Sequence, residues 1–566
     1  MRSILKGNFL LVIIILLGIV LRIWGLGFGL PNQFHQDEPI VVNHALAYGT
    51  GDLNPHFFII PPLTSYILFF FYAIYFLMGS LIGKFTGAES FALSFFSDPT
   101  SFYLMGRFLI GVIPSILSVY LVYRLACKFF SREAAVYSAF VAAIAFLNVV
   151  NAHYIYTDNL LVLFILLSYI AMANLIERGR LKDYILSGIL IGIATAVKYN
   201  AALLVAPFFI SHLLVNKGDN RNKLFDSKLF VFAGVVALTF IICNPYSVLD
   251  WKFFLGSVTG KIRHGYLGWS HHITYSMFEG VGIMPTLLGI IGLGAVLGKK
   301  FKETLFLISF PAVFYIHLIF ASQPFSRYVL VLIPFTAMYS GFLLFDYIYP
   351  RSERKILKLS VVAIAVLTIL PTTVKSIKAD MLFSGEDTRV IAADWIKANV
   401  PPGTKIAFDS VFFAPAVSQT LEQLESKREI LTRQPELKGL KGRKLDLQIK
   451  AFKEDKTYRI YYLGEDTEVT GQFLSYWPAI ESSSADLKKY EIEYVVFNNM
   501  TMSERIKDLH KEIAEKIKPE KVFSPYKDGN FRRSYDETAM TCIPAKDKEL
   551  FSRTRTGPAI IIYKVE

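Results

Sequence analysis

The chain reads as a succession of long apolar stretches separated by short polar loops, followed by a tail in which the pattern shortens and alternates. A helix needs about 20 apolar residues to cross the hydrocarbon core of a bilayer. Stretches near that length run at 8–30, 107–126, 133–150, 158–176, 184–199, 200–216, 229–247, 279–298, 303–321, 328–349 and 356–374. They predict a multi-span α-helical membrane domain of about 11 spans over residues 1–374. From 375 onward the pattern differs. Residues 387–399 form an amphipathic helix pattern, followed by Pro401-Pro402-Gly403 and a strand at 405–408. Further strands are expected at 458–463, 492–497 and 559–564, and Ser503 is placed to cap a helix running to about 516. Strands alternating with helices predict a soluble α/β domain over 375–566, with the charged stretch 425–455 read as loop.

Basic residues orient the spans. Arg124, Lys128 and Arg132 form one cluster, and Arg178, Arg180 and Lys182 a second. Lys217, Arg221, Lys223 and Lys228 follow, then Lys299, Lys300 and Lys302, then Arg351, Arg354, Lys355 and Lys358. Loops rich in Lys and Arg stay in the cytoplasm. Placing all five there leaves the N-terminus cytoplasmic and the C-terminal domain outside. Arg2 and Lys6 ahead of the apolar run 9–21, with no small-residue cleavage site after it, fit an uncleaved first span. Residues 62–83 are long enough to cross, but counting them would reverse every later loop. They are therefore read as a juxtamembrane helix lying along or dipping into the outer face, inside a large external loop, 31–106.

Composition agrees: of 566 residues, 53% are hydrophobic and 15% aromatic, and mean hydropathy is +0.42. The net charge of +13 sits in the short loops, so it is topological and does not mark a nucleic-acid-binding surface. The three cysteines, Cys127, Cys243 and Cys542, have neither disulfide-framework nor metal-type spacing. The tail holds no P-loop, no G-x-G-x-x-G after a strand and no nucleophile elbow.

Candidate chemistry gathers on the side opposite the basic loops. Phe34-His35-Gln36-Asp37-Glu38-Pro39 follows the first span, and Pro61-Pro62-Leu63 precedes the stretch at 62–83. Asn151, His153, Tyr156, Thr157 and Asp158 lie between the third and fourth spans, and Lys198-Tyr199 at the fifth-to-sixth turn. Asn244, Arg263, His264, His271 and His272 follow the seventh, and Gln323, Arg327 and Tyr328 lie between the ninth and tenth. Each has a plainer reading. Asp37 and Asp158 can cap the helices they precede, Lys198 can snorkel to the interface, and Arg327 can anchor there. The aromatic residues fit a membrane-interface belt. Confinement to one face is harder to explain by tolerance. Carboxylates together with Lys and Arg suit a site that holds an anion and removes a proton.

With Arg107, Tyr123-Arg124-Leu125 and Pro334, these residues resemble the GT-C superfamily of polyprenyl-phosphate-sugar-dependent glycosyltransferases. The protein O-mannosyltransferase-like and lipid A aminoarabinose transferase-like branches are the nearest in pattern, over residues 1–374. The resemblance implies a GT-C fold and transfer of a sugar from a polyprenyl-phosphate carrier to a protein, lipid or glycan hydroxyl. The reaction would occur on the outer face of the cytoplasmic membrane by a single inverting displacement. It implies Asp37 as general base, with Glu38 orienting the acceptor or supporting Asp37. Lys198, Tyr199, Arg327, His153 and His264 would bind donor phosphate or substrate. A divalent cation (Mg²⁺ or Mn²⁺) on Asp37 and Asp158 is a further implication. Where aminoarabinose-type enzymes carry Glu-Lys-Pro, this chain has Ile59-Ile60-Pro61-Pro62, which removes the basis for a lipid A acceptor.

Two other classes compete. A transporter or flippase would place these charges near the bilayer midplane within repeated halves. Here they sit at span ends, and no internal repeat is evident. A sensor or scaffold working through its external domain would leave the membrane carboxylates replaceable.

Overall fold

The computed structural model describes residues 2–215, 226–259, 266, 268–321, 325–432, 440–453, 456–464, 479–500, 503–531 and 543–565. The chain forms two compact units. The first takes in Met1–Trp24, Asn54–Leu68 and Gly106–Asp380, and the second Gly25–Leu53, Phe69–Met105 and Met381–Glu566.

The first unit is helical. Among the described residues of the whole chain, six helices are long and apolar enough to cross a membrane: Leu63–Leu81, Thr100–Phe129, Thr157–Arg178, Phe301–Ile319, Ser326–Arg351 and Lys355–Asn399. The pair Arg132–Ile144 and Phe146–Ala152, bent by 51°, passes the same test, and Phe9–Ile23, Tyr199–Leu214, Ser227–Cys243 and Ile283–Leu297 are shorter apolar helices. Residues 62–83 thus form a single helix, Leu63–Leu81, with the length of a span.

The bend at Ala145 has an identifiable chemistry. In an unbroken helix the carbonyls of Ala142, Ala143 and Ile144 would receive the amides four residues on. Ala145 takes ψ 122 instead, which releases them. Unpaired carbonyls in an apolar setting cost several kcal/mol each. Arg22, completely buried, supplies Nη1 to Ala143 (2.8 Å) and Gly18 (3.0 Å) and Nη2 to Ala142 (3.4 Å), while its Nε donates to Ser115 Oγ (2.8 Å). Asn148 Nδ2 donates to Ala142 at 3.0 Å, and Ser376 Oγ to Ile144 at 2.7 Å. All three released carbonyls are satisfied. Close helix approach elsewhere uses small residues. A Cβ at Gly188 or Gly192 would lie 3.0 and 2.7 Å from Val235 and Thr239 of Ser227–Cys243.

Contacts between loops set the polarity of this unit. Lys128 pairs with Glu177 at 2.9 Å, the Ser131 amide donates to Asp346 at 2.9 Å, Lys228 reaches the Gly179 carbonyl at 3.4 Å, and Lys300 donates to that of Phe129. The described basic loops therefore meet at one end. Thr157–Arg178 carries Asp158 in its first turn and Arg178 in its last, about 30 Å apart along a helix of this length. Asp158 is thus at the opposite end. Of the third basic cluster, Lys217, Arg221 and Lys223 lie outside the described residues.

The second unit is built on a seven-stranded sheet: β1 (Lys405–Phe408), β2 (Ser418–Gln419), β3 (Thr457–Leu463), β4 (Ala479–Ile480), β5 (Tyr494–Asn498), β6 (Lys521–Phe523) and β7 (Ile560–Lys564). The order is β2-β3-β1-β5-β7-β6, with β4 also on β3; β1 is parallel to β3 and β5, and β7 antiparallel to β5 and β6. Alternation assigns the faces. Ile406 and Phe408 pack with Ala392 and Ile396 of the helix Thr388–Asn399, while Ala407, Val495 and Phe497 pack with Leu509 and Ile513 of Glu504–Lys516 on the other side. These elements match the sequence pattern. Ser503 holds the N-cap position of Glu504–Lys516 but makes no side-chain capping bond.

The loop expected at 425–455 is a correction. Most of it is helix, Leu421–Thr432 and Leu440–Lys450. High charge hid the propensity, because Leu, Glu, Lys, Arg and Gln all cost little in a helix. Charge also joins the two, through Arg428 and Asp446.

The entry to the sheet is stitched by charge as well. Asp387 caps Thr388–Asn399, accepting from the Arg389 amide at 3.0 Å. Its two oxygens also take the Arg389 guanidinium at 2.8 and 2.9 Å. That guanidinium, fully buried, lies 3.7 Å from the centre of the Phe34 ring and donates to the carbonyls of Phe34 (3.4 Å) and Phe412 (3.2 Å). The strand β7 approaches so closely that a Cβ at Gly557 (φ +92) would collide with Thr388 and Asp387.

Replacing Arg22 by Ala is expected to cost about 3–5 kcal/mol, the loss typical of breaking a buried charged network, and Arg22→Lys less. Thermal unfolding of the purified protein in micelles measures both. A second expectation concerns pH. Burial pushes the Lys427 ammonium from 10.5 down to about 7, although its Nζ donates to Gln419 at 2.6 Å. Between these values the unfolded chain binds the proton that the folded chain lacks, so stability rises with pH across that window. Lys427→Met should flatten the rise in denaturant titrations taken from pH 7 to 10.

Candidate active site

The sequence candidates fall into two groups, one in each unit. In the second unit, Asp37 and Glu38 open the helix Glu38–Ala47. Asp37 occupies the N-cap position in αR conformation (φ −89, ψ −21) and makes no side-chain capping bond. Pro39 in the first turn starts the helix without it. The Asp37 amide instead bonds to His35 Nδ1 at 3.2 Å. The carboxylate is half-buried, whereas Glu38 is completely buried. Asp37 is thus not consumed by capping, and Glu38 is an internal group that can hold the loop in place. Phe34, three residues before Asp37, is the residue gripped by Arg389.

In the first unit three distant residues converge. Tyr156 is the N-cap residue of Thr157–Arg178, so Asp158 lies inside its first turn, where the helix dipole favours a carboxylate. Leu181–Val197 ends because Lys198 turns extended (φ −155, ψ 125), and a 3₁₀ turn, Tyr199–Leu204, follows. That break aims Lys198 Nζ at Asp158 Oδ1, 2.7 Å away. Arg327 enters on the 3₁₀ turn Ser326–Leu332 and sets its Nε 3.7 Å from Asp158 Oδ2. Its guanidinium lies 4.6 Å from the Tyr156 ring centre and 4.5 Å from that of Phe325, and Lys198 Nζ lies 4.8 Å from that of Tyr328.

The plainer readings of Asp158 and Lys198 therefore give way to an ion pair. Two cations share one carboxylate, and aromatic faces screen them from water. Lys198 and Arg327 converge on this one carboxylate, and charged donors of this kind make strong hydrogen bonds to an anion such as phosphate.

The other candidates divide. Tyr199 donates to the Phe58 carbonyl at 2.9 Å, fixing the turn after Lys198 to the segment 54–68. His153 is completely buried; its Nδ1 lies 2.9 Å from the Val149 carbonyl and its Nε2 3.0 Å from that of Trp24. Those contacts make it a pin between the first helix and the bent one, 3.8 Å from Asp380. His264, Arg263 and Gln323 lie outside the described residues. Sequence reasoning missed Arg22, Asp380 and the pair Lys375–Glu279, joined at 2.7 Å. Each is a charge in or beside an apolar run, which by itself marks a residue with a buried partner.

A divalent cation does not fit Asp158. It would displace the Lys198 ammonium from one oxygen and stand beside the Arg327 guanidinium at the other. Among the described residues no group of three or more His, Cys, Asp or Glu is placed to hold a metal.

Known proteins sharpen the picture. Residues 89–246 match the family described as dolichyl-phosphate-mannose-protein mannosyltransferase. The crystal structure of the Archaeoglobus fulgidus oligosaccharyltransferase tethered to an acceptor peptide superposes with a TM-score of 0.50 at 12% identity, over 91% of this chain and 72% of that one. ArnT from Cupriavidus metallidurans, 12% identical in the apo state, matches over 97% of both chains with a TM-score of 0.48. ArnT bound to undecaprenyl phosphate, at 13% identity, gives 0.47 over the same shares. No curated protein matches the chain in sequence. The fold is therefore the one seen in the Archaeoglobus oligosaccharyltransferase, a helical membrane unit joined to a C-terminal α/β domain, and residues 89–246 carry the mannosyltransferase family pattern.

The Asp158–Lys198 pair is expected to show a coupling of roughly 1–3 kcal/mol in a double-mutant cycle of Asp158→Asn and Lys198→Met. Thermal stability in nanodiscs is the readout, and strictly additive losses would deny the pair a stabilising role.

Proposed function

We propose that the chain transfers a sugar from a polyprenyl-phosphate carrier to an acceptor hydroxyl on the outer face of the cytoplasmic membrane, with inversion at the anomeric carbon. The observation that carries this reading is the convergence of Lys198 and Arg327 on Asp158, two cationic donors side by side of the kind that suits a phosphate. The family matched by residues 89–246, dolichyl-phosphate-mannose-protein mannosyltransferase, agrees in kind.

The acceptor oxygen attacks the anomeric carbon as the bond from that carbon to the phosphate oxygen breaks. The electron pair of that bond leaves with the carrier phosphate. Lys198 and Arg327 stabilise its growing negative charge, which positioned cations do best where water is scarce. Asp158 holds both cations in place and moderates their affinity, so the spent carrier can leave. Asp37 accepts the acceptor's proton. A carboxylate is a weak base in water, but proton removal concerted with bond formation needs only a positioned one. Glu38, buried at the start of the same helix, maintains the loop. Basic loops gathered at the end of the first unit opposite Asp158 support an outward-facing phosphate site.

Asp37→Asn should lower transfer about 10²–10⁴-fold, the usual worth of a general base, with insertion and donor binding unchanged. Arg327→Ala should raise the KM for donor more than that for acceptor. Initial rates with radiolabelled sugar on defined polyprenyl phosphates measure both. Full activity in the Asp37 variant removes it as base.

A further inference from the structure

The second unit contains a cleft of about 1700 Å³ that the chemistry above leaves unused. Its floor is the carboxyl end of the parallel strands, reached through Ser410 and Val411 after β1, Gly464 after β3 and Glu481 after β4. In open α/β sheets, ligands bind outside the carboxyl ends of the strands, where connecting loops diverge. One wall is Pro31–Gln36, the segment that runs directly into Asp37, together with Asn43 of the helix Glu38–Ala47.

We propose that this cleft binds an extended, hydroxyl-rich glycan chain, and, resting on the transfer reading above, that this chain is the acceptor.

Four observations carry it. The volume exceeds the ~300–1,000 Å³ of a pocket that encloses one drug-sized molecule, which leaves room for several linked sugar units. Amides recur on the walls, from Asn32, Gln36, Asn43 and Gln448, and an amide both donates to and accepts from a sugar hydroxyl. Flat apolar surfaces lie among them. Phe412 is 40% exposed, and the Tyr490 ring also faces the cleft, giving the C–H face of a pyranose ring a surface to pack on. Finally, the charges have both signs, Glu481 and Asp486 among Lys444, Lys489 and Arg505, whereas a polyphosphate groove would exclude carboxylates.

A polypeptide is the main competitor, and the sheet disfavours it. Peptides commonly add to a free strand edge, where the main chain supplies the hydrogen bonds. Of the strands that end in this cleft, β1 lies between β3 and β5, and β3 between β1 and the pair β2 and β4. Among the described residues β4 pairs with β3 alone, but its two residues are too short an edge for strand addition, so recognition comes from side chains and loops. The position of Gln36, next to Asp37, places one end of a bound chain beside the proposed base.

The test uses the full-length protein in nanodiscs. The probes are β-linked cello- and chito-oligosaccharides of two to six units and an unfolded Ser/Thr-rich dodecapeptide, with binding read by saturation-transfer NMR and calorimetry. Affinity is expected to rise at least tenfold from dimer to hexamer and to fall at least tenfold in the Gln448→Ala/Arg505→Ala variant with its melting temperature unchanged. The peptide should not compete. Absence of oligosaccharide binding, no dependence on length, equal binding by the variant, or displacement by the peptide each overturns the inference. Turnover of a polyprenyl-phosphate sugar in the same preparation separates the two readings. Donor consumed with no oligosaccharide bound removes the cleft proposal alone. Hexamer bound with no donor consumed removes the transfer proposal and leaves the cleft as a glycan site.

Discussion

A carbonyl released inside a bilayer must find a donor, and the helical unit is arranged around one place where three are released together. The break at Ala145 turns Phe146–Ala152 away from the axis of Arg132–Ile144 by 51°. That change of direction leads the chain through His153 to Asp158. It persists because Arg22, Asn148 and Ser376, from three different helices, take up the carbonyls of residues 142–144. Arg22 is suited to this as lysine is not, since its rigid fork reaches several acceptors at once. The buried charge is costly in isolation, and here it converts a backbone defect into a fixed corner.

The same accounting explains the cluster of Lys198, Arg327 and Asp158. Neither Lys198 nor Arg327 would be stable in an apolar setting unopposed, and Asp158 would not be stable without them. Their mutual attraction holds three segments together: the start of one helix, the end of another and a 3₁₀ turn. The compensation that these buried charges require thus also brings two cationic donors side by side at one end of the helical unit.

In the second unit the constraint is different but related. Asp387 and Arg389 form a fully buried pair at the entrance to the sheet, and the guanidinium grips Phe34 and the carbonyl of Phe412. The loop bearing Asp37 and the loop after β1 are thereby tied to one point. Both border the cleft at the strand ends, so the pair sets the geometry of its mouth. Gly557 is needed there because nothing larger leaves room for the capped helix start.

Most of the architecture was legible in the residue pattern. The apolar helices, the basic loops and four strands of the sheet follow from hydrophobic period and charge placement, which act over a few residues, whereas the joining of 25–53 and 69–105 to the sheet unit does not. Asp37, Asp158, Lys198 and Arg327 stood out because charges beside apolar runs are costly without a role. Local signals misled where propensity and charge disagreed, and the helices Leu421–Thr432 and Leu440–Lys450 were hidden in a polar stretch. Tertiary structure alone decided the pairings. Arg22 meets carbonyls more than a hundred residues away, Asp158 pairs with Lys198 instead of capping its helix, and His153 is spent on backbone. The reason is that hydropathy is a property of neighbours in the chain, whereas compensation of a buried charge depends on which distant groups the fold brings within a few ångströms.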